Sequence, residues 1–290
     1  MQEAISKAAT LVEAHAYIRE FRGKVVVVKV GGSIMDQPEA LGNLLGDVSF
    51  MHAVGMRPVV VHGGGKAINA AMSDAGLDAQ FVQGRRYTDE RTLAIAEHVL
   101  INDINAAAVG HLKEAGTPAM GLHSLGSCVV FAKRLTLRGE QNRRIDIGMV
   151  GEVEWVNTEL LRAVLDAGSI PVIAPIARDP AGGKLNINAD SVAGHVAGAL
   201  RAEKFVLVSD THGIRTDPDS EETASTLTRD ATDGLIRDGV IDGGMLPKVE
   251  AALTALGGGC RKAHIVDGRI PHALLLEVYT EAGIGTEIVL

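Results

Sequence analysis

Cysteine is almost missing from this chain: Cys128 and Cys260 are the only two in 290 residues. Two thiols so far apart offer neither a metal-ligand spacing nor a disulfide framework, so a reducing compartment is the expectation. Aromatic residues are scarce too, 3% against 46% hydrophobic, which makes the expected core aliphatic. No apolar run approaches the ~20 residues that a membrane-spanning helix needs. Residues 1–22 carry Glu3 and lack the apolar stretch of a secretory signal, so the expected location is cytoplasmic. The formal net charge of −8 argues against a nucleic-acid or anionic-membrane binder, and any phosphate binding must come from locally placed cations. Two nucleotide signatures are absent as well. Ala67 follows Gly65-Lys66 where a P-loop would need Ser or Thr, and no Gly-x-Gly-x-x-Gly follows a strand-like run.

What is present begins with Lys29-Val30-Gly31-Gly32-Ser33, directly after Val25 to Val28. Four valines read as a parallel strand buried on both faces, and the glycines let backbone amides approach an anion with no side chain between. A second run has the same ending: Pro58 to Val61, then His62-Gly63-Gly64-Gly65, then a helical pattern from Lys66 to Ala75. Either cluster alone is an ordinary tight turn. Together, two glycine-rich strand ends suggest two adjacent anionic groups.

Strand and helix patterns alternate along the rest of the chain. A helix is expected within residues 1–22, with Ala4, Leu11, Ala14, Ile18 and Phe21 on one face. Strand 25–30, helix 38–54, strand 58–61, helix 66–75 and a long helix from 89 to 115 follow, the last opened by Thr88, Asp89 and Glu90. Runs at 127–132, 134–138 and 145–156 read as antiparallel hairpins forming a lid or wall. Asn157 caps a helix to Ala167, and Ile170 to Ile176 reads as one buried strand. The turn-rich Arg178 to Gly183 is expected at a lobe boundary. Beyond it come helix 189–201, strand 205–209, a polar stretch 211–224, helices 228–238 and 246–256, strand 263–266, helix 271–280 and strand 286–290. This pattern predicts an α/β fold with an open, mostly parallel sheet sandwiched by helices and an N-terminal helical arm. Ligands then sit beyond the carboxyl ends of the strands.

Those ends hold Lys29, the two glycine clusters, Asn186 to Asp190, and Ser209-Asp210-Thr211, while Lys248 opens a helix after Gly243-Gly244-Met245. Two lysines from opposite halves with phosphate-compatible backbone fit phosphoryl transfer, which works through positioning and charge neutralisation. No Ser, His or Cys stands out as a nucleophile. A carboxylate acceptor of pKa about 4 is already ionised at neutral pH and needs no general base. Asp190 then holds lysines in place, or serves only as a first-turn aspartate favoured by the helix dipole.

These segments, with Gly84-Arg85-Arg86-Tyr87-Thr88, Gly148 to Val153 and Gly243 to Val249, resemble the N-acetylglutamate kinases of the amino acid kinase superfamily. The resemblance runs from about residue 11 to the C-terminus. It implies that Lys29 and Lys248 stabilise the transferring phosphoryl group and that Asp190 orients them. Gly64, Gly65, Arg86 and Asn186 would bind the acceptor, with Arg86 on its α-carboxylate and Arg85 as a possible sharer of that task. Gly31, Gly32, Ser209, Asp210, Gly243, Gly244 and Met245 would bind the nucleotide. The substrates implied are N-acetyl-L-glutamate and ATP, with Mg²⁺ carried on ATP and no dedicated metal site. Both ends of the chain resemble the arginine-inhibited branch, a homohexamer built as a trimer of dimers, with Tyr17, His264, Glu277 and Gly283 forming the site for L-arginine. The domains implied are an arm (1–22), an acceptor-binding and dimerisation lobe (23–177) and an ATP-binding lobe with the arginine site (178–290). Gln83 and the stretch Gly121 to Ser127 depart from the family's usual residues. Other readings are a kinase of a carrier-protein-linked aminoadipate or glutamate, and a non-catalytic arginine sensor.

Overall fold

The computed structural model describes all residues except 140–141, 218 and 280–282, and all side chains except those and residues 2–4, 6–8, 10, 11 and 13. Ala4 and Leu11 of the expected apolar helix face, and the last residue of the expected 271–280 helix, therefore lie outside the described residues.

Helix α1 (Gln2–Phe21) leads into β1 (Val25–Val30), the short α2 (Gly32–Met35), α3 (Pro38–Ala53), β2 (Arg57–His62) and α4 (Gly65–Asp74). A small hairpin, β3 (Phe81–Val82) and β4 (Arg85–Arg86), precedes α5 (Glu90–His98), which continues through a π-helical segment (Val99–Asn105) into α6 (Ala106–Glu114). The single long helix expected over 89–115 thus carries a widened turn at its centre. Next come β5 (Ala119–Leu122), β6 (Val130–Arg138), β7 (Arg144–Val156), α7 (Thr158–Asp166), β8 (Ile170–Ile173), β9 (Ile176–Arg178) and β10 (Lys184–Asn186). The last part comprises α8 (Ala189–Leu200), β11 (Lys204–Ser209), β12 (Thr226–Thr228), α9 (Arg229–Arg237), α10 (Leu246–Gly257), β13 (Lys262–Asp267), α11 (Ala273–Tyr279) and β14 (Thr286–Val289).

One eight-stranded sheet in the order β12-β14-β13-β11-β1-β2-β8-β5 organises the chain, and β13–β14 is its antiparallel pair. The neighbours of β1 belong to opposite halves of the sequence, β11 on one side and β2 on the other. That is a topological switch point, where the loops leaving adjacent strand ends diverge and open a crevice. The period-2 alternation of strands assigns the faces. Val27, Val59, Val61, Phe205 and Leu207 pack with α8 and α10, while Val26, Val28, Val60, Val206 and Val208 pack with α3 and α6.

The expected hairpins form, with two differences. The runs 127–132 and 134–138 give one bulged strand, β6, which begins only at Val130 and pairs antiparallel with β7. Together with β9 and β10 they close a four-stranded barrel beside the sheet, and Arg178 to Gly183 is the turn of the β9–β10 hairpin. The expected strand 170–176 breaks at Ala174-Pro175 because proline has no N–H to continue the ladder. Its carbonyl instead accepts from Ile187 N at 3.1 Å.

Candidate active site

Lys29 lies on the same face of β1 as Val27, two residues away, and so emerges toward α8. There its Nζ meets Asp190 Oδ1 at 2.8 Å, with both side chains less than a tenth exposed. Asp190 sits in the first turn of α8 because Asn188 caps that helix, its Oδ1 accepting from the amides of Asp190 (2.8 Å) and Ser191 (3.2 Å). Burial alone would push the Asp190 carboxyl up, but Lys29 and Lys248 more than offset this and hold it below the usual carboxylate range. Two lysine charges therefore share one buried anion.

Lys248 occupies the first turn of α10, opened by Leu246-Pro247. A proline suits this place, where no helix bond is lost, but a cation does not, since the helix dipole is positive there. Its Nζ donates to Gly244 O at 3.0 Å. Burial lowers the Lys248 pKa, Asp190 raises it in part, and Lys29 lowers it further. A lysine placed against both dipole and neighbour is poised for an incoming anion.

Three cavities meet at these residues. One of about 230 Å³ holds Lys29, Gly32, Gly63 to Gly65, Arg85, Arg86, Asn186, Asn188 and Asp190. A larger one of about 1130 Å³ is lined by Arg85, Asn188, Asp190, Gly243, Gly244 and Lys248, among others. The third, about 310 Å³, joins through Gly244 and Lys248 and is lined by Ser209, Asp210 and Met245. The expected acceptor residues thus fall in the first cavity and most of the expected nucleotide residues in the other two. Gly31 lines none of the three: its amide donates to Val208 O at 2.9 Å, and a Cβ there would press on the same carbonyl. Gln83 lines only the large cavity, and Gly121 to Ser127 line none. The departures from the family pattern therefore lie outside the lining of the smallest of the three cavities.

Arg86 is buried, stacks over the Phe81 ring at 5.0 Å and donates to Gly65 O at 3.1 Å. Burial pulls its pKa down, yet a guanidinium stays charged at any working pH. Arg85 is half-buried beside it, so both arginines face the cavity. Asn186 Nδ2 donates to Thr88 Oγ1 at 3.2 Å, and Thr88 in turn donates to Arg86 O at 3.0 Å. Thr88 O also accepts from Met149 N at 2.6 Å. Gly148 makes this crossing possible: at φ +79° any Cβ would overlap the Thr88 carbonyl. Thr88 and Phe81 were not expected in the site, and Asn188 was expected there only as part of the Asn186 to Asp190 segment, with no role of its own. Asn188 carried a signal, an Asn-x-Asp ahead of a helical run, whereas Phe81 carried none.

The remaining cluster lies on the other face of the sheet. His264 Nδ1 sits 2.6 Å from Glu277 Oε1, both buried, and Glu277 Oε2 accepts from Ile284 N at 2.9 Å. Burial would raise the Glu277 carboxyl, but His264, the Ile284 amide and Lys204 hold it low. Gly283, at φ +57°, lies against the same carboxylate. Tyr17 packs into the apolar layer that also holds Leu275, Tyr279 and Ile284. All four residues expected at the arginine site are thus near α11.

The amino acid kinase family model matches residues 24–267. The chain belongs to the amino acid kinase family. Within it, the chain is 44% identical over 290 residues to an acetylglutamate kinase of Symbiobacterium thermophilum, covering 99% of each. It is 46% identical to one of Methanocaldococcus jannaschii, covering 99% of this chain and 98% of that one. Among solved structures, this amino acid kinase superposes with a TM-score of 0.82 and 25% identity on the N-acetylglutamate synthase of Neisseria gonorrhoeae, complexed with coenzyme A and L-arginine. That match covers 97% of this chain and 65% of the synthase, so the chain spans just under two thirds of that protein's length. Among the described residues, no helix is long and apolar enough to cross a membrane.

Proposed function

We infer that the protein transfers the γ-phosphoryl group of ATP to the side-chain carboxylate of N-acetyl-L-glutamate, a step of arginine biosynthesis. The observation that carries this is the buried Lys29–Asp190 pair with Lys248 beside it, set where the cavities join. A carboxylate oxygen forms the new bond to phosphorus as the bond to the β-phosphate oxygen breaks, and ADP leaves. The acceptor is already an anion, so no side chain has to remove a proton. The two lysines neutralise charge on the transferring group, and Asp190 keeps Lys29 from collapsing onto it.

Arg86 binds the acceptor's α-carboxylate, while Asn186 and the amides of Gly64 and Gly65 hold the remainder. Gly32 and the residues around Ser209 and Gly244 hold the nucleotide. Hard oxygen donors suit Mg²⁺, and those of Asp210 and Ser209 line the nucleotide cavity, so these residues would meet an ion carried on the triphosphate. Two buried free thiols fit a cytoplasmic location.

Regulation belongs to the same reading. L-Arginine would bind at Glu277, sharing that carboxylate with His264, beside Gly283 and Tyr17, in a homohexamer joined through α1. The buried, ionised Glu277 supports this, because a guanidinium is the natural partner of such a group.

Trapping the product with hydroxylamine tests the assignment. Hydroxamate should form with N-acetyl-L-glutamate and MgATP, and not with glutamate or aminoadipate carried on a protein. Turnover only with the carrier-linked acceptors would replace this reading with theirs, and no turnover on any acceptor would leave a sensor.

A further inference from the structure

His62 ends β2 fully buried, on the face of the sheet opposite Lys29. Its ring is fixed at both nitrogens. Nδ1 is 3.0 Å from Gly63 O, and Nε2 is 3.1 Å from Nδ2 of Asn105. A carbonyl oxygen only accepts, so Nδ1 carries the hydrogen. Asn105 Nδ2 also donates to Val172 O at 2.9 Å, which stops the amide from turning its oxygen toward the ring. Nε2 is therefore the accepting nitrogen. Burial pulls this imidazole down to about 4, so it is neutral near pH 7.

The consequence falls on the glycine loop. In a trans peptide the carbonyl and the next N–H point in opposite directions. Holding Gly63 O toward His62 aims the Gly64 amide away from the ring, and glycine backbone would otherwise be free to turn that peptide over. The anchor stands on the π-helical segment, whose last residue is Asn105. The same segment presses on Gly64: a Cβ there would lie 2.6 Å from Ile104 and 2.7 Å from Leu100. Asn105 Oδ1 in turn rests against Gly121, where any Cβ would overlap it. Widened turns of this kind recur inside helices at functional sites.

We propose that His62 and Asn105 are positioning residues for the phosphoryl transfer. Asn105 selects the Nδ1–H tautomer of His62, and His62 holds the Gly63 carbonyl so that the Gly64 amide faces the acceptor. Neither touches a substrate, and both act through the loop. This rests on the acceptor reading above.

Steady-state kinetics of His62→Leu and His62→Asn supply one test. Asparagine can place its Nδ2 where the imidazole Nδ1 stood, so it keeps the donor to Gly63, while leucine removes it. His62→Leu should raise the acceptor KM at least ~10-fold, the scale of one lost hydrogen bond, with the ATP KM within about twofold. His62→Asn should stay within about threefold of the parent protein for both. Equal behaviour of the two variants, or parallel rises in both KM values, overturns the proposal.

A second measurement needs no turnover. In ¹⁵N-histidine-labelled protein, the resonances lost in His62→Asn should report a neutral Nδ1–H tautomer at pH 7, and Asn105→Leu should change that pattern. An Nε2–H tautomer or a charged ring overturns the proposal even if His62→Leu fails to fold. Absence of parent turnover with N-acetyl-L-glutamate would instead fail the acceptor reading alone.

Discussion

At the scale of single residues, the site turns on how much charge one buried carboxylate can hold in place. Asp190 faces Lys29 at 2.8 Å and also feels Lys248, while Lys248 is depressed by burial and by the second lysine. If Lys248 faces the transition state as proposed, replacing it by alanine deletes a preorganised charge there, and turnover should fall at least ~100-fold. Circular dichroism should stay native. The direction of the Lys248 shift gives a pH limb as well. The cation exists below its pKa, so turnover should hold through neutrality and fall as pH rises, with a midpoint below the usual lysine value. Asp190→Asn removes the anion that partly restores this pKa, and the midpoint should move lower still. A limb that stays put in Asp190→Asn would take Lys248 out of that role.

At the scale of elements, α8 carries Asp190 and α10 carries Lys248, so the distance between two helices sets the geometry of the charges proposed to act in catalysis. They pack backbone to backbone. A Cβ on Gly194 would lie 2.5 Å from Ala251 O and 3.0 Å from Ala251 Cα. Gly194→Ala should therefore push the helices apart, with an overpacking cost of about 1–3 kcal/mol. It should lower turnover more than it raises either KM, since both binding surfaces survive. Gly46 in α3 has nothing within 4 Å of its Cβ position, and Gly46→Ala should leave turnover unchanged and stability equal or slightly higher. Thermal melts and initial rates of the two variants provide the check. Equal turnover in both would show that the α8–α10 spacing does not tune the site.

At the scale of the whole molecule, the arm and α11 place the proposed effector site on the opposite face of the sheet from Lys29. An effector acts only by binding one conformation better than another. Phe21 is part of the buried core and its ring lies 5.2 Å from Lys204 Nζ. A truncation that tests the arm should therefore stop short of Tyr17 and Phe21. If the full-length protein is the proposed hexamer, removing residues 1–13 should leave smaller active assemblies that respond weakly to L-arginine. Glu277→Gln should weaken inhibition with assembly intact. Light scattering with inhibition curves decides this, and full-length protein indifferent to millimolar arginine would remove the regulatory reading while leaving the kinase reading in place.

Much of the molecule was already determined by local sequence. The valine runs predicted β1 and β2, Asn157 marked the start of α7, and the glycine clusters marked the loops that leave the ends of β1 and β2, because periodicity and turn chemistry act over a few residues. Lys29, Asp190 and Lys248 were legible as candidates for the same reason: each stands beside a strand end or helix start. Only the tertiary structure decided which of them meet. The 2.8 Å contact between Lys29 and Asp190 joins residues 161 positions apart through the order of the sheet, and no local pattern encodes that order. The barrel closed by β6, β7, β9 and β10, the π-helical turn beneath Gly64 and the His62–Asn105 bond were equally hidden. Each depends on packing between segments distant in sequence, where side-chain fit and buried hydrogen bonds override local preference.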